Sequence, residues 1–266
     1  MEQTYLLSDI LPKVELPIQR VQTDCLDKGI PTPFPTLNNM LPGGWHNRDL
    51  IIIASRPNAG KTAFAIDCTI HAALKCDSNI LYFSLSESEL SIARRMMINR
   101  IGLAFAGDSW ADVEYKLNEL ARSGIMVCAP SSTNLEEICK EIEVAKSQQF
   151  LDMVIIDNIA LLEGPQELKG NRMEAISYMA RKLKACARKN GIPIIVTSMI
   201  NRSSLRPELE PSEKGIRLSE DFLDIADIII TVSQDSISLI KNAHGGCGIL
   251  KVTYDGNRLK YQNASE

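Results

Sequence analysis

The sequence predicts an α/β fold: a mostly parallel central sheet flanked by helices, closed at its C-terminal side by antiparallel β-hairpins. Three features predict it. From Leu50 to Ser198, short apolar runs alternate with longer stretches that are apolar at helical spacing, the pattern of parallel strands joined by crossover helices. Between the first run and the first such stretch lies Ser55-Arg56-Pro57-Asn58-Ala59-Gly60-Lys61-Thr62, a turn with the residue types of a phosphate-binding loop. After Asp221 the spacing changes to consecutive strand-like runs, and Asp255-Gly256 supplies a tight hairpin turn.

In chain order, residues 1–49 carry Pro12, Pro17, Pro31, Pro33, Pro35 and Pro42, which exclude a long regular helix through most of the segment. Short helices near Leu6–Ile10 or Leu16–Asp24 fit between them. Strands are expected at Leu50–Ala54, Ile80–Phe83, Ile125–Cys128, Met153–Asp157 and Ile192–Ser198. Helices are expected at Ala63–Leu74, Glu89–Ile101, Trp110–Ser123, Asn134–Gln148 and Met173–Asn190. The closing strands are Asp227–Val232, Ser236–Ile240, Gly248–Tyr254 and Leu259–Gln262. Two long polar connections, Asn158–Arg172 and Asn201–Glu220, leave the carboxyl ends of strands, the edge at which open α/β sheets bind ligands.

Bulk properties exclude several classes. The chain has 266 residues, 45% of them hydrophobic, and a net charge of −4, so it can bury a sizeable core but does not coat nucleic acid by charge alone. Its seven cysteines, at 25, 68, 76, 128, 139, 186 and 247, form no Cys-x-x-Cys pair, and its three histidines show no metal-ligand spacing. No basic-then-apolar leader and no membrane-length apolar run appears. These features predict a soluble, cytoplasmic protein without a membrane partner.

The phosphate loop has a definite chemistry. Its backbone N–H groups wrap phosphate oxygens, and the helix that follows points its positive end at them. Lys61 would reach the β- and γ-phosphates, Thr62 would place a hydroxyl on Mg²⁺, and Gly60 would let backbone approach ligand without a Cβ in the way. Ala63 follows as the last residue of the candidate nucleotide-binding stretch. The first position, Ser55, departs from the usual Gly. Further on, Val154-Ile155-Ile156-Asp157 ends an apolar strand in a carboxylate, expected next to the phosphate loop; Asp157 holds Mg²⁺ through water or merely caps the strand. Water must also be oriented for hydrolysis. Ile80–Phe83 is expected beside the phosphate-loop strand, and Glu87 follows it; this acid is the water-positioning group or a helix N-terminal acid.

The ordered set of motifs resembles the C-terminal motor domain of DnaB-type replicative helicases, hexameric ATPases of the RecA-like class. The resemblance covers about residues 28–262. It rests on Gly29-Ile30-Pro31-Thr32 through Leu37-Asn38, Asp49 to Ala54, and Arg56-Pro57-x-x-Gly60-Lys61-Thr62-Ala63-Phe64-Ala65. It continues through Phe83-Ser84-Leu85, Ile155-Ile156-Asp157, Asn201-Arg202-Ser203, Ala226-Asp227-Ile228-Ile229, Lys241, Gly245, Gly248 and Gly256. It implies an N-terminal segment or linker at 1–28 and a RecA-like P-loop ATPase domain at 29–266. It further implies ATP and Mg²⁺ as cofactors, Lys61 and Glu87 as catalytic residues, and Lys241 as a nucleotide contact. Single-stranded DNA is the implied partner, with a homo-oligomer or other replication proteins alongside. The two long polar connections match the family's pore loops, making Lys169, Arg172, Arg202, Arg206 and Lys214 candidate DNA contacts. Those charges equally suit a solvated surface, and no aromatic residue in either loop offers a stacking platform.

Three positions depart from the family pattern. Where the family has its catalytic Glu, this chain has Ser86, with Glu87 one residue later. Its γ-phosphate-sensing Gln is Met199 here, and a thioether is a poor partner for phosphate. Its arginine finger, two residues past a Lys, is Ala243 here, with Lys241 retained. The family resemblance therefore implies an ATP-driven DNA motor in replication or a degenerate relative that binds nucleotide and serves as an assembly partner.

Overall fold

The computed structural model describes residues 29–102, 109–148, 151–165, 168, 170–199 and 220–264. The short helices expected within residues 1–28 lie outside this set.

A short helix α1 (Pro35–Met40) comes first. It was not expected from the sequence, because a proline-rich stretch reads as irregular. Pro35 instead starts the helix, where its fixed φ is an advantage and its missing N–H costs nothing. Thr32 and Asn38 brace the turn: the Thr32 N–H donates to Asn38 Oδ1 (2.8 Å) and Asn38 Nδ2 donates to the Thr32 carbonyl (2.9 Å).

Next come β1 (Leu50–Ser55), α2 (Lys61–Lys75), β2 (Ile80–Ser84), α3 (Glu89–Ile101), α4 (Trp110–Ala121), β3 (Ile125–Cys128), α5 (Leu135–Gln148) and β4 (Met153–Asp157). A 3₁₀ turn (Ile159–Leu161), α6 (Arg172–Asn190), β5 (Ile194–Met199), α7 (Glu220–Ile225), β6 (Ile228–Val232), β7 (Ser236–Asn242), β8 (Gly248–Asp255) and β9 (Lys260–Asn263) complete the order. Side chains cap the helices as their sequences require: Ser88 accepts from the Ser91 N–H at the start of α3. Ser109 and Asp112 form a reciprocal capping box on α4. Gly191 ends α6 in the left-handed conformation (φ 66°). Strand β5 begins two residues later than expected, after Pro193, which brings no N–H to a ladder.

Among the described residues the sheet has nine strands in the order β3-β2-β4-β5-β1-β6-β7-β8-β9. The strands from β3 to β6 pair in parallel, and β6 to β9 pair antiparallel. This is the predicted fold class. Every residue of β1 is buried, yet the two faces divide cleanly. Ile51 and Ile53 pack with Phe64 and Ile66 of α2 and with Tyr261 of β9. Leu50, Ile52 and Ala54 pack with Ile138 and Ile142 of α5 and Leu183 and Ala187 of α6. Asp227 fixes the start of β1, accepting from the Leu50 N–H (2.7 Å) and from Lys184 Nζ (2.5 Å).

Two details differ from expectation. The β8–β9 turn spans four residues, 256–259, rather than a two-residue hairpin, and Leu259 adopts a positive φ of 48° within it. Strand β2 is not beside β1: β5 and β4 lie between them. Crossover helices let consecutive strands skip positions in the sheet, so chain order does not settle sheet order. Among the described residues, no helix is long and apolar enough to cross a membrane.

Candidate nucleotide site

Strand β1 delivers Ser55 to the carboxyl edge of the sheet, between Met199 of β5 and Val232 of β6. The chain then turns tightly. The Ala59 N–H donates to the Arg56 carbonyl (3.1 Å), and so does Ser55 Oγ (2.8 Å). Asn58 and Gly60 both adopt positive φ, 60° and 97°. At Gly60 a side chain is excluded twice over, by that φ and because a Cβ would meet the Tyr261 hydroxyl at 2.1 Å. Lys61 and Thr62 open α2, both half-buried, while Arg56 and Asn58 are exposed and Pro57 and Ala59 half-buried. Ala63 points its side chain into the core. The loop therefore combines a helix N-terminus, a cation and a hydroxyl at one place, the donor set that an anionic phosphate and its divalent cation require.

Asp157 ends β4 at the same sheet edge, only 2% exposed. One strand, β5, lies between its strand and β1. Both carboxylate oxygens are engaged: Thr197 Oγ1 donates to Oδ1 (2.5 Å) and Tyr82 Oη donates to Oδ2 (2.9 Å). Those hydroxyls come from the strands on either side, so the sheet itself aims the carboxylate. The peptide bond to Asn158 is cis. Burial, with the neighbouring Asp157 charge and hydrogen bond, pushes the Tyr82 phenol well up from its ordinary value.

Glu87 lies just past β2 in the turn before α3. Ser84 Oγ donates to its carbonyl (2.6 Å) and accepts from its N–H (3.2 Å). Its carboxylate accepts from Ser91 Oγ (2.5 Å) and Arg95 Nε (3.0 Å). Burial opposes ionisation, but those hydrogen bonds and the charges of Arg95 and Lys61 outweigh it and hold the carboxyl below its ordinary range. Glu87 is thus an anion at neutral pH whose field includes Lys61, although β2 is remote from β1 in sheet order.

A second set of residues backs the loop from inside, and it was not anticipated from the sequence. Tyr261 of β9 donates its hydroxyl to the Ala59 carbonyl (2.7 Å). Its own N–H donates to Asp67 Oδ2 (2.7 Å), and Asn99 Nδ2 donates to Asp67 Oδ1 (2.7 Å). Burial pushes Asp67 up to about 7 against the opposing effect of these bonds and of Lys260. The one available signal was an Asp at a position in α2 that helical spacing assigns to the core.

Comparison with known proteins decides the family. Residues 29–263 match the family model described as "DnaB-like helicase C terminal domain". The replicative DNA helicase DnaB of Geobacillus stearothermophilus is 32% identical over 257 residues, covering 88% of this chain and 56% of that protein. The chain belongs to the DnaB-like helicase C-terminal domain family. The replicative DNA helicase DnaC of Bacillus subtilis is likewise 32% identical, over 78% of this chain and 47% of that protein. The chain thus spans about half the length of these curated relatives. Among solved structures, one described as an ATPase domain superposes with a TM-score of 0.88 at 22% identity, covering 99% of this chain and 100% of that one. A DnaB-like replicative helicase studied for its interactions with primase gives 0.85 at 21% identity, covering 99% of this chain and 68% of that one. Both likenesses bear on the fold.

Within a DnaB-like frame, the remaining candidates fall in different places. Ser86 is exposed at the turn after β2, and Met199 ends β5 directly beside Ser55. Lys241 does not approach this chain's own phosphate loop. It pairs with Ile229 near the amino end of β6, and its Nζ donates to the Leu223 and Asp224 carbonyls (2.8 Å each), capping α7. The Ala243 N–H donates to the Asp227 carbonyl (2.9 Å) at the amino edge of the sheet. A contact from Lys241 to nucleotide would therefore have to be made on another copy. Of the candidate DNA contacts, Arg172 is the first residue of α6, while Lys169, Arg202, Arg206 and Lys214 lie outside the described residues.

Proposed function

We propose that this chain is the motor domain of a DnaB-type helicase acting in DNA replication. On this reading it binds Mg·ATP at residues 55–62 and couples hydrolysis to movement along single-stranded DNA within a ring of like subunits. The observation that supports it most is the carboxyl-edge constellation of Gly60, Lys61 and Thr62, with Asp157 held by Thr197 and Tyr82. Lys61 would neutralise the β- and γ-phosphate oxygens, Thr62 would give its hydroxyl to Mg²⁺, and Asp157 would accept from the cation's water shell. Mg²⁺ when bound supplies charge neutralisation at the phosphates. Glu87, ionised and within the field of Lys61, would orient the attacking water. The loops containing Lys169, Arg172, Arg202, Arg206 and Lys214 would grip DNA phosphates. Residues 1–28 would form a linker to the motor domain at 29–266.

One observation favours a second reading, a nucleotide-binding relative with little turnover. The Glu87 carboxylate is already bonded to Ser91 and Arg95, and Met199 and Ala243 stand where the family has its sensor and finger. Steady-state ATP hydrolysis with and without single-stranded DNA, with Lys61→Ala as the blank, separates the two. DNA-stimulated turnover above the blank supports the motor. Bound nucleotide with turnover at the blank level refutes it and leaves the second reading.

A further inference from the structure

We infer that Tyr261 is a positioning residue for the phosphate loop: its hydroxyl sets which way the Ala59–Gly60 peptide faces. The inference deepens the nucleotide-binding reading and rests on it. In a trans peptide the carbonyl of one residue and the N–H of the next point in opposite directions. Tyr261 is 2% exposed and reaches the loop from the core side, where its hydroxyl donates to the Ala59 carbonyl (2.7 Å). With that oxygen turned inward, the Gly60 N–H is turned outward, the orientation an anion at the mouth of the loop requires. A flip of this one peptide would present a carbonyl oxygen to phosphate instead. Gly60 is the residue most able to permit such a flip, because both signs of φ are open to it. The tyrosine hydroxyl selects one of the two orientations.

The tyrosine is itself fixed from several sides. Its ring meets Phe64 of α2 edge-on (centroids 6.1 Å) and Tyr254 of β8 (5.0 Å). Its backbone N–H is held by Asp67, about one and two-thirds turns along the helix that Lys61 begins. Asn99, near the end of α3, bonds Asp67 and also donates to the Leu259 carbonyl (3.3 Å). The first half of the same helix carries Ser91 and Arg95, the two partners of Glu87. The β8–β9 hairpin, the phosphate-loop helix and the helix that holds Glu87 are therefore joined at one buried junction, and Tyr261 is the member whose side chain hydrogen-bonds the loop.

The test is Tyr261→Phe, which removes the hydroxyl and keeps the ring. Two readouts are needed: amide hydrogen exchange of residues 59–61 in the ligand-free full chain, and affinity for Mg·ADP and for inorganic pyrophosphate by calorimetry. Loss of one hydrogen bond predicts roughly three- to tenfold faster exchange at Ala59, whose N–H closes the loop onto the Arg56 carbonyl, and a loss of about the same factor in affinity for both ligands. Pyrophosphate carries no base or sugar, so an equal loss locates the effect in the phosphate contacts. Incorporating 3-fluorotyrosine at 261, which keeps a hydroxyl, should restore both readouts. A merely structural tyrosine would lower the melting temperature and leave Ala59 exchange and both affinities unchanged; that result overturns the inference. If the wild-type chain binds neither ligand, the nucleotide reading fails, and the exchange readout still decides whether Tyr261 holds the loop.

Discussion

On the proposed reading, two groups of residues bear on the nucleotide, and they differ in how closely they keep the family pattern. The phosphate-facing group, Gly60, Lys61, Thr62 and Asp157, keeps it, and two of its members are braced by neighbouring elements: Gly60 by Tyr261, Asp157 by Thr197 and Tyr82. The turnover group departs at every position. Ser86 is exposed, Glu87 is engaged with Arg95, Met199 replaces an amide, and Ala243 sits at the opposite edge of the sheet. Capture of a phosphate needs backbone N–H groups and one fixed cation, whereas cleavage needs additional groups aimed at water and at developing charge. On that reading the two demands rest on different residues, so one can weaken while the other persists.

The largest effect belongs to Lys61→Ala. Removing two or more charge-assisted hydrogen bonds to phosphate should weaken Mg·ADP binding by about a hundredfold or more. Calorimetry measures this, and wild-type affinity in the variant would remove the phosphate-facing group from the contrast altogether. Next in size is Glu87→Gln. If Glu87 orients water, turnover should fall about a hundredfold or more while Mg·ADP affinity stays within a factor of two or so. Unchanged turnover would instead assign Glu87 to bracing α3 through Arg95 and Ser91. Asp157→Ala acts on stability rather than on turnover, leaving the buried Tyr82 and Thr197 hydroxyls without their acceptor. Chemical denaturation should show a loss of about 1–3 kcal/mol for each stranded hydroxyl. A neutral outcome would mean that the two strands do not depend on the carboxylate they aim.

Legibility in the sequence followed the range of the interactions concerned. The phosphate loop was readable because strand, turn and helix are contiguous and Gly60, Lys61 and Thr62 lie side by side. Most element boundaries were readable for the same reason, since periodicity and caps such as Ser88 act within a turn or two. Helix α1 was misjudged because Pro35 can start a helix as well as end one. The sheet order was not readable: Ile80–Phe83 follows the phosphate-loop helix in sequence, yet β5 and β6, about 140 and 175 residues further along the chain, flank β1. Nor was the junction behind the loop readable, because Tyr261 and Ala59 are 202 positions apart and meet only once β9 has closed the sheet. Lys241 follows from motif order alone, and its place opposite the amino end of β6 depends on an antiparallel turn of the chain that motif order does not encode.

The smallest effect tests the junction through pH. Burial raises Asp67 to about 7 in the folded chain, against an ordinary value of 3.8. Between roughly pH 4 and pH 7 the folded state keeps a proton that the unfolded state has released, so stability falls as pH rises through this window and is flat above it. The stabilising contribution of protonated Asp67 is thus fully present below the unfolded value and lost by about pH 8. Asp67→Asn removes the titrating group and keeps an oxygen to accept from the Tyr261 N–H. The melting temperature of the wild type, measured from pH 5 to pH 8 relative to this variant, should therefore decline by about 5–10 °C, the size that roughly 2–3 kcal/mol produces in a domain this large. Other titrating groups, including the buried Asp49 whose carboxyl is also raised by burial, act in both proteins and cancel in the difference. A flat difference would mean that Asp67 is ionised throughout and that its bonds to Tyr261 and Asn99 outweigh burial. The junction behind the phosphate loop would then hold a fixed charge, and its grip on Tyr261 would not vary across the physiological range.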